Sequence, residues 1–298
     1  MYAIPSRMYP PSFDYAAPDD LDEALKLLEL HNEDAKIMTG GVGLINAMKH
    51  HVIKPGFLID ISRIRELGLI GDHGGYLSIG AAVKVAELQR SDLVKRNYTA
   101  LSEAAGAIAD PLLRNMISVG GNVCTGNPDD DLPPVFLSMD AQYILAGRNG
   151  RRVIDADGFY LGHMSTAIRP GEILVEVRVP RQTERSGSAY IKRELRQNDH
   201  LVAGVAASIS LEEDGRYKRL AFGLSGSGNT SIHARLPKFT GSRPVDVPVG
   251  DIAKMVVEEA SPLSDRQGSA SYKRKVILVL AREALTLALQ RAEQGGQK

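Results

Sequence analysis

Apolar positions along the chain change period several times, and each change marks an element. Behind Pro18-Asp19-Asp20, the residues Leu21, Ala24, Leu25 and Leu28 stand at i, i+3, i+4 and i+7. That spacing predicts an amphipathic helix with an acidic start. Ala35–Thr39 reads as a short buried strand, Leu44–His51 returns to a helical period, and Phe57–Ile61 is a second strand. Tyr76–Val83 is a strand, followed by helices over Val85–Val94 and Tyr98–Ala109. Leu132–Leu137 predicts a short helix, Ala141–Leu145 and Arg152–Ile154 strands, and the β-branched run Glu172–Val179 another, ended by Pro180.

Composition shifts at the charged stretch Arg181–Gly187, where a domain boundary is expected. Beyond it Ser188–Glu194, Val202–Leu211 and Leu220–Leu224 predict an antiparallel sheet, with Glu212-Glu213-Asp214-Gly215 as a hairpin turn. Tyr272–Ala292 predicts an amphipathic helix packed on that sheet through Val276, Leu280, Leu287 and Ala288. The expected class is α+β in three parts, 1–62, 63–180 and 181–298.

Two Gly-Gly pairs interrupt this pattern. The first lies in Lys36-Ile37-Met38-Thr39-Gly40-Gly41-Val42-Gly43-Leu44, the second in Ser118-Val119-Gly120-Gly121-Asn122. A glycine pair permits positive φ and lets a ligand approach the main chain. Successive N–H groups in such a turn make an anion-binding hollow. One loop suits one phosphate; two suit a diphosphate. Asn122 is placed to bond a phosphate or to hold the turn in left-handed geometry.

Charge and cysteine content narrow the function. Lys+Arg and Asp+Glu are each 36, so no basic excess points to nucleic acid. Cys124 is the single cysteine, which excludes a disulfide framework and any all-cysteine iron–sulfur or zinc site in this chain, and fits cytoplasmic residence. Met1–Arg7 carries no apolar core of a signal peptide. The longest apolar run, Val276–Leu280, falls far short of the ~20 residues of a membrane helix.

The segment around the second pair is denser still. It reads Ile108-Ala109-Asp110-Pro111-Leu112-Leu113-Arg114-Asn115, then Ser118-Val119-Gly120-Gly121-Asn122, then Asn127-Pro128-Asp129-Asp130-Asp131-Leu132-Pro133. From Phe13 to about residue 290 the chain resembles the FAD-binding medium subunit of the molybdenum hydroxylases, the xanthine dehydrogenase and carbon monoxide dehydrogenase group. The resemblance implies a two-part FAD-binding domain of the vanillyl-alcohol-oxidase-like (PCMH) type and a C-terminal flavoprotein domain. It implies that Lys36 to Leu44 wrap the diphosphate and ribitol, and that Ser118, Gly120, Gly121 and Asn122 complete the cradle, with Thr125 beside it. Ile108 and Leu174 would lie near the flavin or adenine, Asp131 would bond the ribose or adenine side, and Lys192 would reach the polar edge of the flavin. No catalytic residue and no metal ligand is implied in this chain.

The resemblance also implies partners. A large subunit would carry a molybdenum cofactor and a small one two [2Fe–2S] clusters, in a dimer of heterotrimers that delivers electrons to an external acceptor. Two departures stand out. The family often has Gln or His and then Ser after its first Gly-Gly, where this chain has Val42-Gly43, and its carbon monoxide branch has a Tyr where Asn198-Asp199-His200 stands here. His200 either stacks on the flavin or lies on the surface.

Other patterns carry less. Asp129-Asp130-Asp131 lacks the spacing of a calcium loop, and Asp131 is expected to anchor its loop. His50-His51 reads as a surface helix end, and Gly223–Asn229, though glycine-rich, precedes no clear helix. Cys124 is expected to be buried beside the cofactor. Two other readings remain at this point: a self-sufficient flavin oxidase or reductase, and a non-redox protein whose glycine loops are structural.

Overall fold

A computed structural model describes residues 9–295, so the stretch read for a leader lies outside the described residues. The first unit is a three-stranded parallel sheet of β1 (Asp14–Ala16), β2 (Ala35–Met38) and β3 (Phe57–Asp60), in the order β1-β3-β2, with α1 (Leu21–His31) and α2 (Val42–Lys49) as its crossovers. Helix α1 starts where Asp20 accepts the Glu23 amide at 2.8 Å, and it buries Leu21, Ala24 and Leu28.

The second unit is built on β4 (Ile70–Asp72) and β5 (Tyr76–Gly80). Five short helices follow: α3 (Val85–Arg90), α4 (Asp92–Asn97), α5 (Thr99–Ala107), α6 (Pro111–Met116) and α7 (Val119–Cys124). Then come α8 (Leu132–Ser138), β6 (Gln142–Gly147), β7 (Gly150–Asp155), the small hairpin β8 (Tyr160–Gly162) and β9 (Ser165–Thr166), and β10 (Ile173–Pro180). Its five-stranded antiparallel sheet runs β4-β5-β10-β6-β7. The third unit is the four-stranded antiparallel sheet β11 (Ser186–Glu194), β12 (Leu201–Leu211), β13 (Tyr217–Ser225) and β14 (Ile232–Arg235), covered by α9 (Val249–Glu259) and α10 (Ala270–Gly295).

Several sequence expectations change here. The Val85–Val94 helix is two helices, because the Ser91 hydroxyl accepts the Val94 amide and starts a new one. The second glycine segment is not a left-handed turn. Neither Gly120, Gly121 nor Asn122 has positive φ; they form α7, capped by Ser118, whose Oγ accepts the Gly121 amide at 3.0 Å. The buried stripe of α10 runs through Ile277, Leu280, Ala281, Ala284, Leu285, Ala288 and Ala292, and Val276 and Leu287 are only half-buried. An alanine-rich stripe lets the helix lie close on β11 and β12, which a reading that follows the largest side chains passes over. The elements β1, β4, α6, α9 and β14 were not foreseen. The first, second and fifth of these are three or four residues long, too short to show a period.

The glycine run after Gly223 has a packing cause at its first residue. A Cβ there would sit 1.7 Å from the Pro134 carbonyl oxygen, so β13 lies directly on α8 and the third unit is pressed against the second. Among the described residues no helix is long and apolar enough to cross a membrane.

Candidate functional site

A cavity of about 650 Å³ opens between the first two units. Lys36, Ile37 and Thr39 form one wall as β2 ends, and Gly120, Gly121 and Cys124 of α7 form the facing wall. Leu174 and the segment Ile168-Arg169-Pro170-Gly171 before β10 close a third side. The Thr39 and Ser118 hydroxyls are hydrogen-bonded across the gap. Thus two segments about 80 positions apart meet through the hydroxyls that precede their glycines.

The two segments contribute different things. Helix α2 begins at Gly41, which has φ 71° and no side-chain cap. Its first-turn amides, Val42 to Leu44, therefore have no partner within the helix. The amides of the second segment are spent inside the protein. Val119 donates to the Val83 carbonyl (2.9 Å), Gly120 to Ala81 (2.8 Å), Gly121 to Ser118 Oγ (3.0 Å) and Asn122 to the Ser118 carbonyl (3.0 Å). The expected pair of equivalent amide hollows is thus one hollow and one bare wall. Gly120 is glycine because a Cβ would lie 2.7 Å from the Ala81 carbonyl oxygen. Gly121 is open on its cavity side, and a Cβ would meet Ser118 Oγ at 2.9 Å.

Charge in the cavity is mixed. Glu172 is held by the Arg152 guanidinium at 2.8 Å and 2.5 Å, which keeps its carboxyl below the usual range despite burial. Among the described residues, Lys36 and Arg169 have no ion-pair partner, so both remain available to an anion. Cys124 lines the cavity as a neutral thiol, its pKa pushed up to about 12 by burial. A neutral thiol is a poor nucleophile.

The remaining expected residues fall elsewhere. Met38, Gly40, Gly41, Val42, Gly43 and Leu44 continue from Thr39 beyond the cavity wall into α2. Ile108 is buried in the core of the second unit. Neither Asn122, within α7, nor Thr125, directly after it, lines the cavity: Asn122 Oδ1 accepts the Leu132 amide at 3.3 Å, and Thr125 donates to the Asn122 carbonyl at 2.9 Å. Asp131 is 7 % exposed; Tyr190 donates to it at 2.5 Å and Lys192 Nζ lies at 3.3 Å. Burial raises the Asp131 carboxyl, and the Lys192 charge opposes the rise. Lys192 also pairs with Glu194 at 2.7 Å. His200 is exposed on the connection between β11 and β12. Sequence reasoning missed Arg169 and its neighbours; the Pro170-Gly171 turn was the available signal.

Gly121→Ala is expected to weaken flavin binding about tenfold, because the new methyl displaces the Ser118 cap and intrudes on the wall. Fluorescence titration of the stripped protein with FAD measures this, and unchanged affinity would remove Gly121 from the wall.

A family model described as the FAD binding domain in molybdopterin dehydrogenase matches residues 11–182. A second, the CO dehydrogenase flavoprotein C-terminal domain, matches residues 188–288. The 6-hydroxypseudooxynicotine dehydrogenase complex subunit alpha of Paenarthrobacter nicotinovorans is 33% identical over 96% of this chain and 97% of its own length. The carbon monoxide dehydrogenase medium chain of Hydrogenophaga pseudoflava is 33% identical over 95% of this chain and 99% of its own. A solved structure of carbon monoxide dehydrogenase from the same organism, lacking the Mo-pyranopterin moiety of its cofactor, superposes with TM-score 0.90 at 33% identity, over 95% of this chain and 99% of that one.

Proposed function

Since the chain belongs to the family of FAD-binding medium subunits of molybdenum hydroxylases, we propose that it is the flavin-carrying electron relay of a three-subunit dehydrogenase. The residues present fit the group. A diphosphate needs donors and cations on one side and a main chain free of side chains on the other. Lys36 and Arg169 in the lining, with the α2 start adjoining it, supply the first, and Gly120-Gly121 the second. Lys36 to Leu44, Ser118, Gly120, Gly121 and Leu174 would hold the cofactor directly; Asn122, Thr125 and Asp131 would fix the wall from behind. Ile108, Lys192 and His200 complete the proposed set. Bound FAD supplies reversible transfer of one or two electrons, and the protein supplies its binding and shielding.

The observation that carries this reading is the meeting of the two glycine segments on one cavity through Thr39 and Ser118. In the same proposal, electrons arrive from [2Fe–2S] clusters of a small subunit, substrate is oxidised at a molybdenum cofactor of a large one, and a cytoplasmic dimer of such heterotrimers passes them to an external acceptor. Two relatives of equal identity are named for different substrates, 6-hydroxypseudooxynicotine and carbon monoxide. That is expected if the substrate is chosen by another subunit. A self-sufficient oxidase finds no support in relatives named as subunits or chains of complexes.

The purified chain is expected to be yellow, with one FAD per chain, and to oxidise no organic or gaseous substrate. Addition of the cluster-bearing and molybdenum subunits is expected to restore turnover. Robust substrate oxidation by the chain alone would refute the relay.

A further inference from the structure

Behind the glycine wall, one hydroxyl is asked for more protons than it has. Thr125 Oγ1 lies 2.9 Å from the Asn122 carbonyl, which only accepts, and it is also hydrogen-bonded to Asp130 Oδ2. It further accepts the Asn127 amide at 3.3 Å. A threonine hydroxyl has a single proton. If that proton serves the Asn122 carbonyl, the bond to Asp130 needs a proton from the carboxyl itself. We propose that Asp130 is a positioning residue of the cofactor wall that works as a neutral acid, donating its carboxyl proton to Thr125 and so holding the end of α7. The proposal rests on the reading that the cavity holds FAD.

The surroundings favour the neutral form. The groups facing Asp130 are Asp129 and Asp131 on its own segment, Thr125 directly after α7 and Tyr160 on β8, and none is a cation. The nearest lysine to the triplet's buried end, Lys192, is taken by Asp131 and Glu194. Asp129 instead faces Lys273, Asp265, His200 and His163. Burial pushes the Asp130 carboxyl up to about 7; the Thr125 hydrogen bond opposes the rise, and the carboxylates of Asp131 and Asp129 add to it. Above that pH the donated bond is lost. Thr125 must then choose between the carboxylate and the Asn122 carbonyl, and three adjacent negative charges repel. The charged acceptor wins that choice, so the Asn122 carbonyl loses its donor and the end of α7, which carries Gly120 and Gly121, frays.

The test follows flavin release from the flavin-loaded chain between pH 6 and 8.5, alongside an infrared titration. Wild type is expected to release FAD about fivefold faster at the alkaline end, the worth of one neutral hydrogen bond. Asp130→Asn keeps a donor at every pH and is expected to be slow and flat; Asp130→Ala is expected to be fast and flat. The infrared spectrum is expected to show a protonated carboxyl band that titrates near pH 7 and is missing in Asp130→Asn. A flat wild-type profile, the wild-type step persisting in Asp130→Asn, or a carboxyl titrating near 4 would each overturn the proposal. The infrared titration needs only wild type, so it decides the matter even if a variant does not fold. Failure of the flavin reading would show as absence of FAD with the carboxyl band in place, a result separate from failure of Asp130.

Discussion

Gly40→Val is expected to produce a folded but colourless chain. A Cβ on Gly40 would lie 1.8 Å from the Met116 carbonyl oxygen and 2.7 Å from its carbon, an overlap no rotamer relieves. The opposing backbone is not free to retreat. The Met116 carbonyl accepts from Lys84 Nζ at 3.2 Å, the Ile117 amide donates to Leu113 at 2.8 Å, and the Ile117 carbonyl accepts from Val85 at 3.0 Å. The first glycine segment must therefore move, taking the α2 start with it and parting Thr39 from Ser118. Overpacking against side chains costs about 1–3 kcal/mol. Here the obstacle is fixed main chain, so the upper end applies, and FAD affinity is expected to fall about a hundredfold. Flavin per chain after desalting measures this. The third unit has its own core and should keep its far-ultraviolet signal. Stoichiometric flavin in Gly40→Val would mean that the first segment does not hold the cofactor.

Asp131→Ala acts on stability. Its carboxylate joins the start of α8 to Tyr190 and Lys192 on β11, so it bridges the second and third units at a buried point. Removing one member of a buried pair costs about 3–5 kcal/mol. Glu194 remains beside Lys192 at 2.7 Å and softens the loss. A destabilisation of about 3 kcal/mol, and a Tm lower by several degrees, is expected. Asp131→Asn keeps an acceptor for Tyr190 and should lose less. Thermal unfolding of the two variants checks both statements, and a wild-type Tm in Asp131→Ala would show that the network carries little of the seam.

These two residues show what was legible in the chain. Gly40 and Asp131 stand out as sequence because a glycine pair and a Pro-x-x-Asp-Leu-Pro string are local. Their partners, Met116 and Tyr190, are not local, and nothing in the sequence pairs them. The long strands β10 to β13 and the start of α1 follow from period and cap. The second glycine segment was legible as a close approach but not as a helix. Its Val119 and Gly120 amides are taken by the Val83 and Ala81 carbonyls, 36 and 39 residues upstream, and only the folded chain puts them within reach. Arg169 escaped notice for the same reason. It sits on an irregular stretch marked by no more than the Pro170-Gly171 turn, and the cavity gives it its meaning.

A crystal structure of the flavin-loaded chain decides where the cofactor sits. One FAD is expected, its diphosphate between the Val42–Leu44 amides and the bare face of Gly120-Gly121. A diphosphate bound elsewhere, or a native chain that takes up no flavin into this cavity, would contradict it.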